Sequence, residues 1–210
     1  MNITGLGLQN TYSKQLNQTT PSFKGINTLT HTNIGSCMNG FIGKVRVRNA
    51  GGQEEFLNVI KKSLGNGYES YTINDDFEQI VGEMVIAIRK YNMETLPSTI
   101  KEDPSHVFVS ELKNYSSPHT PFYNKKLTQH KDIGLRLLQI AQRRSDESMC
   151  QGNIKLITKN ESKEWYKNYI GMQEEFPNEP TKFRFRINNP NQLYLPPHAK
   201  EPLSRMRGGL

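Results

Sequence analysis

Two hydrophobic periods run along this chain, and they change places near residue 130. Before that point the pattern is mostly that of strands. In "FIGKVRVRN" (41–49) Val45 and Val47 alternate with Lys44, Arg46 and Arg48, which predicts a strand with one wet face. "GEMVIAIRKY" (82–91) is apolar and β-branched enough for a central strand, and "HVFVSELKN" (106–114) predicts another. "AGG" at 50–52 signals a turn. "QEEFLNVIKKSL" (53–64) fits two readings. Phe56, Val59, Ile60 and Leu64 share one helical face, and a strand broken by a loop fits equally well. "YSSPHTPFYNKKL" (115–127) has no period. After it, Ile133, Leu137, Leu138, Ile140 and Ala141 recur at helical spacing within "LTQHKDIGLRLLQIAQRR" (127–144). "GNIKLIT" (152–158) then predicts a strand. "ESKEWYKNYIG" (161–171) predicts a helix with Asn160 as N-cap and Gly171 as its stop. "KFRFRIN" (182–188) predicts a last alternating strand.

The order is hairpins first and a β-α-β-α-β unit last. It predicts an α/β protein of mixed α+β type: a central mixed, mostly antiparallel sheet flanked by helices, with a right-handed crossover in the β-α-β piece. Residues 1–40 are rich in Asn, Thr, Gln and Ser and read as a flexible or loosely packed extension. The folded domain is expected over 41–195, with an irregular, proline-bearing tail at 196–210.

Composition narrows the partners. Charged residues are 22% and the net charge is +7, which favours an anionic partner without choosing between nucleic acid, an acidic membrane face and a phosphorylated cofactor. Cys37 and Cys150 have no partner motif, as expected of thiols in a reducing compartment. No apolar run approaches the roughly 20 residues that span a bilayer. The expectation is a cytoplasmic protein without a membrane partner. The five histidines are scattered, so no metal site is predicted.

The chemistry centres on Gly134. A helix that starts at this glycine exposes unpaired main-chain N–H groups and partial positive charge. A tight glycine-bearing loop before it can converge those groups on a phosphate. Gln129, His130 and Lys131 lie on the approach, and Gly134 removes a side chain where a diphosphate would near the backbone. Asp132 is a good N-cap.

"QHKDIG", the helix after it, the strand "GNIKLIT" and the helix "SKEWYKNYIGM" together resemble the core of the GNAT superfamily, the acyl-CoA-dependent N-acetyltransferases. That family's signature, Q/R-x-x-G-x-G/A, opens a helix after the fourth strand. Here it reads Gln129, His130, Lys131, Asp132, Ile133, Gly134. Trp165-Tyr166 matches an aromatic pair, and Ile170-Gly171-Met172 its close. The resemblance runs from Ser105 to Met172 and reaches the earlier strands only by topology. Two departures stand out. Asp132 replaces the signature's first glycine, where a carboxylate either repels the cofactor or turns away to cap the helix. "WYKNYIG" carries one residue more than the commonest spacing, which predicts different winding at the helix end.

The resemblance implies an N-acetyltransferase that moves an acetyl group from acetyl-CoA, its co-substrate, to a primary amine by direct attack in a ternary complex. It implies cofactor contacts from Gln129, His130, Lys131, Asp132, Ile133, Gly134 and Leu135, mostly through main-chain N–H groups. Asn160 either contacts the pantetheine arm or caps its helix. A main-chain donor near Leu112 would hold the developing oxyanion. Tyr166 would protonate the leaving thiolate and Glu111 would act as base, with Glu83 as the rival. The acceptor amine, small molecule or protein, is not encoded in any motif, nor is the oligomeric state. Residues 50–80 and 114–127 are expected to select the acceptor. Two alternatives remain: a basic nucleic-acid-binding module built on the "KVRVR" and "KFRFR" strands, less favoured, and a catalytically degenerate CoA-binding regulator.

Overall fold

A computed structural model describes residues 28–29, 34–37, 39–90, 105–174 and 192–195. These form one mixed sheet and a long helix. Strands β1 (Thr28–Leu29), β2 (Asn39–Asn49), β3 (Glu54–Gly65), β4 (Tyr68–Asn74), β5 (Ile80–Arg89) and β6 (His106–Asn114) lie side by side in chain order, each antiparallel to the next. β7 (His130–Lys131) pairs with the end of β2. Helix α1 (Ile133–Glu147) then carries the chain to β8 (Ile154–Ile157), which lies parallel to β6. α2 (Asn160–Glu164) continues into a π-helical turn, Trp165–Ile170. β9 (Gln173–Glu174) and β10 (Gln192–Leu195) complete the far edge. The sheet is therefore mostly antiparallel with one parallel pair, as the order of elements predicts.

Alternation explains the strands. On β2, Val45 and Val47 are buried while Lys44 is exposed, so one face is dry. The segment 53–64 is a strand and not a helix. Leu57 and Val59 turn inward while Phe56 and Leu64 stay exposed, a period of two that a helix would scramble. α1 covers the dry face with Ile133, Leu137, Leu138, Ile140 and Ala141, all buried. Tyr166, Ile170 and Met172 extend the same core. A residue more than an α-helix needs is absorbed at 165–170 by π winding, and Gly171 ends the turn at φ 80°, a conformation glycine adopts without steric cost.

Two residues of the expected extension touch the end of α1. Ile34 is fully buried, and the N–H groups of Ile34 and Gly35 each donate to Glu147 at 2.9 Å. The expected strand at 182–188, the leader before residue 28 and the tail after 195 lie outside the described residues.

The C-terminal end of α1 is fastened to the sheet by a buried charge network. Arg144 meets Glu69 of β4 at 2.9 Å, Lys61 of β3 meets it at 3.2 Å, and the Tyr71 hydroxyl donates to it at 2.6 Å. Lys61 also donates to the carbonyls of Ile34 and Gly35, at 3.0 and 3.3 Å. Burial alone would lift the Glu69 carboxyl. Its bonds from Arg144 and Tyr71, with the charges of Arg144 and Lys61, outweigh that and hold it below the usual range. A lowered folded value contributes stability that is complete above the unfolded value and is lost as pH falls through the folded one. Acid titration of folding should therefore show a loss below about pH 4.5, the ordinary value for this group. Glu69→Gln should be less stable at neutral pH, by about 3 kcal/mol, because Lys61 and Arg144 lose their shared anion. Its acid limb should be shallower. Equal acid limbs in urea titrations of the two proteins would refute the assignment.

Candidate active site

α1 begins where the chain has just been pinned to the sheet. His130 and Lys131 pair with Asn49 and Arg48 of β2, and the helix opens at Ile133. Between them Asp132 sits in the left-handed region, φ 71° and ψ 4°, at the position glycine would hold in the GNAT signature. Asp tolerates this conformation better than most residues. Its carboxylate neither caps the helix nor stands bare. It makes no side-chain cap bond and forms a two-point ion pair with Arg48, Nε to Oδ2 at 3.0 Å and an Nη to Oδ1 at 3.3 Å. The capping expected of Asp132 is thus replaced by a tie to the sheet, and its charge is matched. Asp132 in turn raises the Arg48 pKa through this bond.

Arg136 N–H is the first to bond back within the helix, to Asp132 O at 2.9 Å. The N–H groups of Ile133, Gly134 and Leu135 consequently have no intrahelical acceptor. The Arg136 side chain does not reach toward a ligand: Nε donates to the Arg46 carbonyl at 2.6 Å and Nη to Gln139 at 2.9 Å. Gly82 on β5 sets the depth of the helix. A Cβ there would collide with Cγ2 of Ile133 and lie 3.4 Å from Leu137. Gly134 differs. A Cβ there would meet Trp165 and Leu112 at 3.6 and 3.7 Å, ordinary contact distances, so packing within the protein does not demand glycine.

β6 supplies the other wall. Ile86 pairs with Val109 and Val85 with Glu111, which leaves Ser110 as an extra, bulged residue; its Oγ donates to Val85 O at 3.1 Å. The bulge reverses the strand's alternation. Val107 N–H donates to Asn153 O on the β8 side, whereas Tyr115 N–H donates to Val81 O on the β5 side. An even number of positions separates them, so a regular strand would point both the same way. Counting back from Tyr115 places the N–H of Leu112 on the β8 side. Pairing with β8 has already ended at Val109–Leu156, so this N–H faces the gap between the diverging strands.

The gap opens into a cleft of about 880 Å³. Its walls take in Arg48, Glu111, Leu112, Lys113, the loop from Ser116 to Phe122, residues 129–132, Gly134, Leu135, Lys159, Trp165, Tyr166 and Tyr169. The volume is at the upper end for small-molecule sites. Tyr166 is nearly buried here, and burial pushes its pKa up to about 12. Its ring meets Trp165 edge-on, centroids 4.9 Å apart. Lys113 Nζ lies 2.6 Å from Glu111 and 3.7 Å from Glu83, and its pKa is raised mainly by the bond to Glu111. Glu83 accepts from the Tyr115 hydroxyl at 2.8 Å and does not line the cleft.

Of the residues expected from the sequence, Glu111, Leu112, Gln129 to Asp132, Gly134, Leu135 and Tyr166 border this one cleft. Ile133 lies beneath it with its side chain in the core. The His130 imidazole is committed to Glu55, Nε2 to Oε2 at 3.0 Å, and the Gln129 amide to the Tyr123 hydroxyl at 2.8 Å. Asn160 is displaced from its expected capping role. The extended residue before the helix is Lys159, so Asn160 is already the first helical residue and borders no part of the cleft. Sequence reasoning missed Arg48, Tyr169 and the bulge. Arg48 looks like one more wet position of an alternating strand, and a bulge leaves no periodic trace. Among the described residues no group of His, Cys, Asp or Glu could hold a metal ion, and no helix is long and apolar enough to cross a membrane.

No protein-family model and no curated protein matches this chain. Two solved structures are similar to it. One is an acetyltransferase of the GNAT family from Staphylococcus aureus Mu50, 16% identical over 61% of this chain and 66% of its own, just under two thirds, with a TM-score of 0.38. The other is nourseothricin acetyltransferase, 13% identical over 74% of this chain and 81% of its own, TM-score 0.34. Both are distant likenesses of fold. The topology is an antiparallel run, a bulged strand, a helix crossover and a parallel partner whose pairing ends at Val109–Leu156.

Gly82→Ala should unfold at lower urea, with a loss of about 1–3 kcal/mol, because the added methyl forces stiff, β-branched Ile133 and the helix start outward. An unchanged midpoint would mean the helix is not seated on that glycine.

Proposed function

We propose that this protein is an N-acetyltransferase that moves an acetyl group from acetyl-CoA to a primary amine by direct attack. One observation carries the proposal. Gly134 and Leu135 at the start of α1, Leu112 with its N–H in the strand gap, and Tyr166 all line a single cleft. The domain expected over 41–195 is extended by this reading to include β1 and Ile34.

Each group has a physical task. The N–H groups of Ile133, Gly134 and Leu135, with the helix dipole, receive the diphosphate. Arg48 offsets Asp132, so that carboxylate does not oppose the anion. The amine attacks the thioester carbon, a C–N bond forms, and the oxygen gains negative charge that Leu112 N–H stabilises. Collapse breaks the C–S bond. Tyr166 gives the departing thiolate a proton, and Glu111 takes the proton lost by the attacking amine, directly or through water. The cleft position of Glu111 favours it over Glu83, which holds Tyr115. A phenol near 12 would donate to a free thiol near 8.5 at a cost of roughly 5 kcal/mol. The burial that lifts the phenol lifts a thiol beside it too, which narrows that gap. The loop from Ser116 to Phe122 would form part of the acceptor wall.

The nucleic-acid reading is weaker. On β2 Arg46 is engaged with Glu54 at 3.1 Å, and the second basic strand expected, 182–188, lies outside the described residues. A CoA-binding regulator without chemistry would bind acetyl-CoA yet release no thiol with any amine.

Titration calorimetry with acetyl-CoA, followed by a thiol-release assay over an amine panel, tests the proposal. Tyr166→Phe should lower kcat by about 10²-fold, with acetyl-CoA affinity little changed. Full activity at every pH would rule out its role as acid. Gly134→Ala should melt no lower than the parent, since alanine is the better helix former and the space is adequate. Its acetyl-CoA affinity should nonetheless fall by about tenfold, as expected when a methyl shields hydrogen-bond donors from a charged partner. Unchanged affinity would remove the cradle from the account.

A further inference from the structure

Three lysines border the cleft, Lys113, Lys131 and Lys159. Within the described residues, only Lys113 of these has its ammonium in an ion pair. Its Nζ lies 2.6 Å from Glu111, the proposed base, and 3.7 Å from Glu83. The Lys113 side chain is 29% exposed and that of Glu111 50%, so the pair stands at the cleft surface, where a long side chain is free to swing. Lys113 also follows Leu112 directly, so its flexible stem starts one residue from the amide that faces the strand gap. Among the described residues Glu111 has no hydrogen-bond or ion-pair partner except Lys113. Its oxygens are therefore spent on an internal cation and closed to an incoming amine. The same contact sets an amine against a carboxylate, the arrangement that prepares a nucleophile. Glu83 differs, because the Tyr115 hydroxyl holds it at 2.8 Å whether or not Lys113 stays.

Resting on the transfer reading above, we propose that Lys113 is the protein's own first acceptor: the site acetylates it and thereby frees Glu111. Glu111 takes a proton from the Lys113 ammonium and passes it to solvent. The neutral Nζ attacks the thioester carbon of acetyl-CoA, a C–N bond forms and the C–S bond breaks. The departing thiolate takes the Tyr166 proton. The second Nζ proton, shed as the amide forms, restores that phenol through water. Acetyl-lysine carries no charge and no longer pairs with a carboxylate, so Glu111 is open to an external amine. Lys131 and Lys159 lack the contact with a base and stay unmodified.

The test starts from the full chain, shown by intact mass to be unmodified, mixed with acetyl-CoA and no amine. A single equivalent of thiol should be released per chain. Peptide mass mapping should place one acetyl group on Lys113 and none on Lys131 or Lys159. Lys113→Arg keeps a cation against Glu111. It should release no thiol without an amine, and with one it should turn over about 10²-fold more slowly than the labelled parent. Lys113→Gln, neutral like the acetylated side chain, should match the labelled parent. Glu111→Gln should slow labelling of Lys113 by about 10²-fold, although it frees the ammonium. Melting temperatures of the variants check that the fold persists. Faster labelling in Glu111→Gln, or equal labelling of the three lysines, would mean that the thioester merely meets exposed amines, and would overturn the proposal. Acetylation of added amines with Lys113 unmodified would overturn it and leave the transfer reading standing. Absence of acetyl-CoA binding would end both.

Discussion

Ile133 packed into the space above Gly82 fixes where α1 begins, and the site follows from that contact. A helix start is useful to an anion only if its free N–H groups stand at a defined height beside the opposite wall. Here the height is set by the missing side chain of Gly82, and the far end is tied by Arg144 to Glu69. The near end is tied twice more, by Arg48 to Asp132 and by Arg136 to the Arg46 carbonyl. With the helix held at both ends, the loop before it can keep a left-handed aspartate that would otherwise relax.

Electrostatics at the cleft are balanced locally. Asp132 alone would oppose a diphosphate at the helix start, and Arg48 alone would be a mobile cation on a wet strand. Joined at two points, they cancel in net charge while keeping part of the guanidinium fork unspent. Glu111 and Lys113 form a similar pair across the cleft, close to the amide of Leu112. The deep part, around Tyr166, is apolar, which is why the phenol holds its proton so firmly. A charged mouth over a dry interior suits a carrier with a polar handle and a neutral reactive end.

Much of this was legible in the sequence. Alternation over 41–49 and helical spacing over 133–141 place β2 and α1, and the additional residue in "WYKNYIG" foretells the changed winding that appears as the π turn. Other features were not legible, for physical reasons. The residues 53–64 have apolar positions that satisfy both periods, and only pairing with β2 and β4 on either side decides for a strand. Asn160 loses its capping place by one residue, a shift set by the extended conformation of Lys159 and not by any residue preference. The burial of Ile34 depends on Glu147 and Lys61, distant partners that a polar local composition conceals. Arg48 and Asp132 lie far apart in the chain, and neither residue type announces the other.

The central claim is that the main-chain N–H groups at the start of α1 and at Leu112 together hold the acyl carrier. Hydrogen–deuterium exchange of the full chain, with and without saturating acetyl-CoA, addresses those amides directly. The account predicts slowed exchange confined to two stretches, the start of α1 around residues 132–135 and the splayed end of β6 around 112–114, with the buried strands β3 and β4 unchanged. Exchange at both stretches that is the same with and without the carrier would contradict it.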